Sequence, residues 1–131
     1  MKFIYPAIFT PFEEGSGYSV VVPDLPGCVS QGNDLIEAIE MGTDAASGWI
    51  LGELEEGNQF PGPSPQADIE LEGDSFINLL VLDIDAYSEK YGSQTVRKNI
   101  TIPAWLNTYG EKNHINFSKL LADALMKQAA N

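Results

Sequence analysis

Residues Gly17–Glu40 read GYSVVVPDLPGCVSQGNDLIEAIE, and within this one stretch the composition changes character four times. Tyr18–Pro23 (YSVVVP) is aromatic and β-branched, the composition of a pleated, half-buried strand. Asp24–Gly27 (DLPG) has the residues of a tight turn. Residues 28–32 (CVSQG) predict a further short strand. Asp34 and Glu37 then stand three residues apart ahead of an apolar-periodic run, the spacing of a capping box. In that run Leu35, Ala38, Ile39, Gly42, Ala45, Ala46 and Trp49 recur at helical spacing, with Glu37, Glu40 and Asp44 on the other side. The pattern predicts one long amphipathic helix, stopped by Gly57.

Working outward, KFIYPAIFT (2–10) and the turn-like EEGSG (13–17) complete a β-hairpin with YSVVVP. Downstream, NQFPGPSPQAD carries prolines at 61, 63 and 65 and predicts an extended connection, since proline suits neither a helix interior nor a central strand. SFINLLVLDID (75–85) is apolar enough for a buried strand. The first module is therefore β-β-β-α-β, over residues 1–89. After a bridge, AYSEKYGSQT, with a helical turn ending at Gly92, residues 90–131 form the second module. VRKNITI (96–102) predicts a strand. Pro103 opens a short helix over AWLNTYGEKN, and Asn116 caps a second over FSKLLADALMKQ. The fold class expected is α+β.

The charge is as uneven as the patterning. The whole chain carries −12, but residues 1–89 hold one lysine against seventeen acids, a net of −16, while 90–131 hold six basic residues against two acids, a net of +4. An acidic body repels nucleic acid and attracts basic proteins, and a basic segment does the reverse. Cys28 and His114 are each the sole residue of their type, so no intramolecular disulfide and no Cys/His zinc site are expected. No apolar run reaches the ~20 residues of a membrane span, and the N-terminus lacks the apolar core of a signal peptide. A cytoplasmic protein without cofactor, metal or membrane association is expected.

A strand followed by two short helices cannot pair its own backbone or bury its own apolar face. The natural solution is a two-fold dimer in which the strand pairs antiparallel with its copy. Alternation puts Ile100 and Ile102 on the face toward Leu106, Leu120, Leu121 and Leu125, and Arg97, Asn99 and Thr101 on the other. Arginine, asparagine and threonine are side chains that read base edges in the major groove. This segment, Thr95–Gln128, resembles the ribbon–helix–helix DNA-binding proteins. That resemblance implies base reading by Arg97, Asn99 and Thr101. It also implies a backbone-phosphate clamp at the amides after Asn116, those of Phe117, Ser118 and Lys119. Lys98 departs from the pattern, standing where an apolar inward residue is usual, and is expected to reach a phosphate.

The opening stretch, with LLVLDIDAYSEKYG and the order of the two modules, resembles the HicB-type antitoxins, and the likeness spans nearly the whole chain. It implies a partial RNase H-like body that binds a small HicA-type mRNA ribonuclease, and a C-terminal module that binds operator DNA and represses the operon. Residues expected to meet such a toxin are Asp24, Leu25, Pro26 and Cys28 in the turn and Glu37 and Glu40 on the helix. Each has a plainer reading beside it: turn chemistry for Asp24, burial for Cys28, solvation for the acids. His114, between the last two helices, reads as a bystander or a phosphate contact. An enzyme would need clustered carboxylates, and Asp83 with Asp85 on one strand face supplies only two. A non-enzymatic antitoxin and autorepressor, dimeric and able to assemble further with its toxin, is the expectation. A ribbon–helix–helix regulator with a ligand-sensing body is the alternative, followed by a metal-dependent RNase H-like nuclease.

Overall fold

The computed structural model describes residues 1–92 and 96–129, which divide into two compact units, Lys2–Gly92 and the segment after it. In the first, β1 (Lys2–Pro11), β2 (Tyr18–Val21), β3 (Val29–Gly32) and β4 (Phe76–Asp83) form one sheet in the order β3-β2-β1-β4. Every neighbouring pair is antiparallel. The ten-residue β1 is the central strand, paired to β4 from Lys2↔Asp83 to Phe9↔Phe76 and to β2 from Ile8↔Val21 to Pro11↔Tyr18. The order β-β-β-α-β expected for the body is present.

α1 (Leu35–Glu55) covers one sheet face. Its capping box forms as the spacing predicts. The Asp34 carboxylate accepts from Glu37 N at 2.8 Å, and the Glu37 carboxylate accepts from Asn33 N at 3.1 Å, one residue before the cap. Under the helix lie Tyr5, Ala7, Phe9, Val20, Leu80 and Leu82, packed with Ala38, Ala46 and Ile50. Burial departs from the expected stripe at both ends: Leu35 is 37% exposed, while Ser47 and Ile50 are buried. A straight helix on a twisted sheet keeps only its middle turns over the strands, so the first residue of the periodic run lies beyond the cover.

No helix of this unit covers the other sheet face. Ile4 lies opposite Val81, and Ile8 lies opposite both Ile77 and Val21, with Val21 opposite Val29. Ile4, Val21, Val29, Leu79 and Val81 are all exposed. β3 and β4 are the outer strands, and β4 therefore has one unpaired edge.

Beyond β4 the chain turns at once into α2 (Ile84–Tyr91), where a single turn ending at Gly92 was expected. Asp83 is its N-cap, accepting from Ala86 N at 3.1 Å. This overturns the pairing of Asp83 with Asp85 on one strand face, because Asp85 lies inside the helix. In the second unit α3 (Ala104–Lys112) and α4 (Phe117–Ala129) match the expected helices. The strand expected over residues 96–102 is not formed: residues 96–103 are neither strand nor helix. Thr95, where that segment was expected to start, lies outside the described residues.

Gly32 marks the tightest approach in the body. A methyl group there would strike the backbone of Glu37 and Ala38 at the first turn of α1. Gly32→Ala should destabilise the first unit by about 1–3 kcal/mol, the usual cost of overpacking against backbone that cannot yield, measured as a lower midpoint in urea unfolding.

Candidate functional site

Each unit carries its own candidate surface. In the first, the DLPGC turn is tied to two other parts of the unit, α1 and the proline-containing connection. Within the turn, Val22 N donates to Cys28 O at 3.0 Å, Leu25 N to Val22 O at 3.1 Å and Cys28 N to Leu25 O at 3.0 Å. Gly27 takes φ +78°, the left-handed region that the turn requires. Trp49 of α1 donates its Nε1–H to Pro26 O at 3.0 Å. The Asp24 carboxylate accepts from Ser64 N at 2.9 Å and from the Ser64 hydroxyl, forty residues along the chain. Nearby, the Tyr5 hydroxyl donates to Pro61 O, and Phe60 meets Phe3 edge-on at 5.4 Å. The proline-containing connection is thus strapped to the turn and to β1. Burial first, then the Asp24 charge, holds the Tyr5 phenol above its ordinary pKa.

These contacts sort the six residues expected to meet a toxin. Leu25 and Cys28 are buried in the core, so their side chains present no surface and serve the packing of the turn. Burial raises the Cys28 thiol pKa, which disfavours the thiolate. Asp24 is half-buried, with its carboxylate occupied by Ser64. Pro26, Glu37 and Glu40 are exposed, and Glu37 is engaged in the capping box.

A groove of the body lies beside the free edge of β4, between α1 and α2. Its volume is about 410 Å³, and Glu40, Asp44, Asp83, Tyr87 and Tyr91 line it. The two tyrosine rings are 4.8 Å apart and tilted. Sequence reading missed this groove, since its walls meet only when α2 forms. The signal available was the pair of tyrosines four residues apart, one turn of helix.

In the second unit the apolar side chains lack a cover. Ile100, Ile102, Leu106, Leu120 and Leu121, all expected in a dimer core, line a trough of about 560 Å³ together with Phe117. Leu120 is 57% exposed and Ile100 is 55% exposed, so this face is bare in the single chain. Leu125 is also exposed but lies outside the trough lining. Arg97, Lys98, Asn99 and Thr101 are exposed. Asn116 caps α4, its side-chain oxygen accepting from Lys119 N at 3.0 Å. The loop between the helices is locked. His114 has φ 54°, and Ile115 N donates to Gly110 O at 2.9 Å, closing α3 in a Schellman arrangement. His114 therefore has a backbone role that sequence reading did not assign. Gly110 leaves room for the Phe117 ring, which a methyl group would strike.

The chain thus joins a body of one sheet and one long helix to a small basic unit with a bare apolar trough. Residues 5–124 match the HicB-like antitoxins of bacterial toxin–antitoxin systems, and the chain belongs to that family. Among individual proteins, it is similar to Antitoxin HicB 1 of Photorhabdus laumondii, 39% identical over 61 residues covering 47% of this chain and 39% of that protein. A 14.9 kDa protein from the rep–hol intergenic region of Haemophilus phage HP1 is 32% identical over 81% of this chain and 86% of its own length. Among solved structures, a toxin–antitoxin complex from Streptococcus pneumoniae contains a chain with TM-score 0.60 and 26% identity, covering 98% of this chain and 99% of that one. The Burkholderia pseudomallei antitoxin HicB shares the fold, with TM-score 0.56 and 24% identity over 96% of each chain.

The strap between Asp24 and Ser64 should be local in its effect. Asp24→Ala is expected to speed amide hydrogen exchange at Ser64 and to open residues 58–68 to proteolysis, while exchange in β1 and α1 stays slow. Equal acceleration throughout the unit would show the strap to hold the whole body instead.

Proposed function

We propose that this antitoxin neutralises a small basic HicA-like ribonuclease through its acidic body and represses its own operon through a paired C-terminal unit. In this reading the body is a partial RNase H-like domain without catalysis, and the second unit is a ribbon–helix–helix module. The protein acts in the cytoplasm. The observation that carries the proposal is the division of charge, −16 over residues 1–89 and +4 over 90–131. A ribonuclease needs a positive surface for phosphates, and a strongly acidic domain competes for that surface and speeds encounter. Membership of the antitoxin family and the likeness to a chain of a toxin–antitoxin complex support the toxin as partner.

Dimerisation would complete the second unit. The bare trough lined by Ile100, Ile102, Leu106, Leu120 and Leu121 is the face a second copy covers, with Leu125 at its margin. Pairing two segments 96–102 antiparallel satisfies their backbone groups and turns Arg97, Asn99 and Thr101 outward together. Lys98 reaches a flanking phosphate, and the amides of Phe117, Ser118 and Lys119 at the start of α4 hold another, as helix N-termini do for anions. Higher assembly then follows from one toxin per body.

The alternatives have less support. A ligand sensor would call for an enclosed pocket in the body, and the groove beside β4 is open and acidic. A nuclease would call for clustered carboxylates, yet Asp83 caps α2, and no group of three or more metal-binding side chains occurs among the described residues.

Arg97→Ala should cost ~1–3 kcal/mol of operator affinity and relax sequence preference, with toxin affinity unchanged, as read by electrophoretic shift and calorimetry. Leu120→Glu should leave the chain monomeric in analytical ultracentrifugation and abolish operator binding while toxin neutralisation persists. Normal operator binding by Arg97→Ala with loss of toxin would invert the assignment of the two units.

A further inference from the structure

The bare face of the sheet carries almost no charge, on a body that holds −16 over residues 1–89. Among the residues of β1 to β4 only Lys2 and Asp83 are charged, and they are cross-strand partners at one end of the β1–β4 ladder. Next inward on the same face come Ile4 and Val81, 51% and 58% exposed, and then Leu79. Ile8 follows, with Ile77 on one side and Val21 on the other, and Val29 extends the row to β3. At the far end the face turns polar with the Thr10 and Ser75 hydroxyls, 2.8 Å apart. Past them Glu13, Glu14 and Asp74 are exposed in the flanking turns. The face is an apolar strip with a mixed charge pair at one end and three carboxylates at the other.

A solvated face of an antiparallel sheet ordinarily alternates to polar residues, and a contiguous apolar one marks a surface that something covers. The strip has the dimensions of one helix. From Ile4 to Ile8 is roughly 13 Å along the strand, and the row from Val29 to Ile77 crosses four strands, roughly 14 Å. An α-helix is ~10–12 Å across and rises ~1.5 Å per residue, so about nine residues run the length of the strip. Helix on sheet is also how α1 covers the opposite face. A second body is a poor occupant, because −16 repels −16, whereas a basic partner is drawn in.

We infer that this sheet face receives an amphipathic helix of the basic protein partner. The apolar stripe of that helix lies on Ile4, Val21, Leu79 and Val81, and its basic residues lie at the end above Glu13, Glu14 and Asp74. The inference rests on the toxin-binding reading above for the source of the helix. It moves the contact away from the DLPGC turn and the start of α1, where Leu25 and Cys28 are buried and Glu37 is engaged in the capping box. Apolar area supplies the hold and the acidic end guides the approach, since desolvated anchors govern dissociation while exposed charges govern association.

The full-length chain, isotopically labelled, is titrated with a leucine–lysine peptide of helical periodicity and with a peptide of the same composition in strict alternation. Saturable shifts centred on Ile4, Val21, Leu79 and Val81 are expected with the first peptide only. In parallel, Leu79→Ser and Val81→Ser are each expected to weaken the complex with the basic protein of the neighbouring reading frame about tenfold, through faster dissociation. Ile36→Ser, at a bare position on α1, should change it less than about twofold. Glu13→Gln/Glu14→Gln should slow association at low salt and have no effect at 1 M salt. Thermal midpoints within a few degrees of the unsubstituted chain verify that the variants fold. Unchanged dissociation in both sheet variants, or an equal loss in Ile36→Ser, would overturn the inference while leaving toxin binding by the body intact. Concentration-dependent association of the Leu120→Glu chain that Val81→Ser abolishes would assign the face to a second copy and overturn it as well. Shifts selective for the helical peptide, in a chain that neutralises no ribonuclease, would support the face and sink the toxin reading instead.

Discussion

One helix covers one face of one sheet, and the body of this antitoxin depends on that contact. Tyr5, Phe9, Leu80, Leu82 and Val20 share one core with Ala38, Ala46 and Ile50 of α1, closed at its margin by Leu25 of the turn and Phe60 of the connection. At ~25 cal/mol per Å² of apolar surface, a single such interface is a modest core for a unit of this size. The devices around it fit that constraint. The capping box anchors the start of α1, and Gly32 lets the helix begin directly against β3. Trp49 bonds the DLPGC turn, and Asp24 clamps the connection that returns to β4. Each ties a different part of the chain to the same helix–sheet contact.

The same economy explains where binding surface is left. A sheet with one covered face leaves the other bare, and an outer strand without a neighbour leaves an edge beside which a groove forms. The second unit repeats the theme in smaller form, with α3 and α4 leaving an apolar trough between them. Neither unit is closed on all sides.

Much of this was legible in the residues because the signals were local. The hairpin, the capping box of Asp34 and Glu37, the β4 run and the Asn116 cap each need only a few neighbouring positions. What escaped depended on distance or on choice between two local signals. Ser64 answers Asp24 across forty residues, and no local pattern announces that pair. At Asp83 the alternation of LLVLDID favoured a continuing strand, but the carboxylate capped a helix, which took Asp85 off the strand and formed the wall of a groove. At Leu35 the helical period was right but the sheet did not extend beneath it. For residues 96–102 the alternation suggested a strand, but an alternating pattern alone supplies no backbone partner, and the segment is neither strand nor helix.

The uncovered sheet face has a further consequence for handling the protein in solution. Rows of isoleucine, valine and leucine on an exposed antiparallel surface are an invitation to self-association. Here the body's excess negative charge acts as a colloidal barrier, keeping identical faces apart by repulsion rather than by polar substitution. Such a barrier reaches only as far as counter-ions allow, roughly 10 Å at 0.1 M salt and about 3 Å at 1 M. Concentrated salt therefore pulls this chain in two directions, loosening its hold on charged partners while bringing its own bare faces within reach of one another.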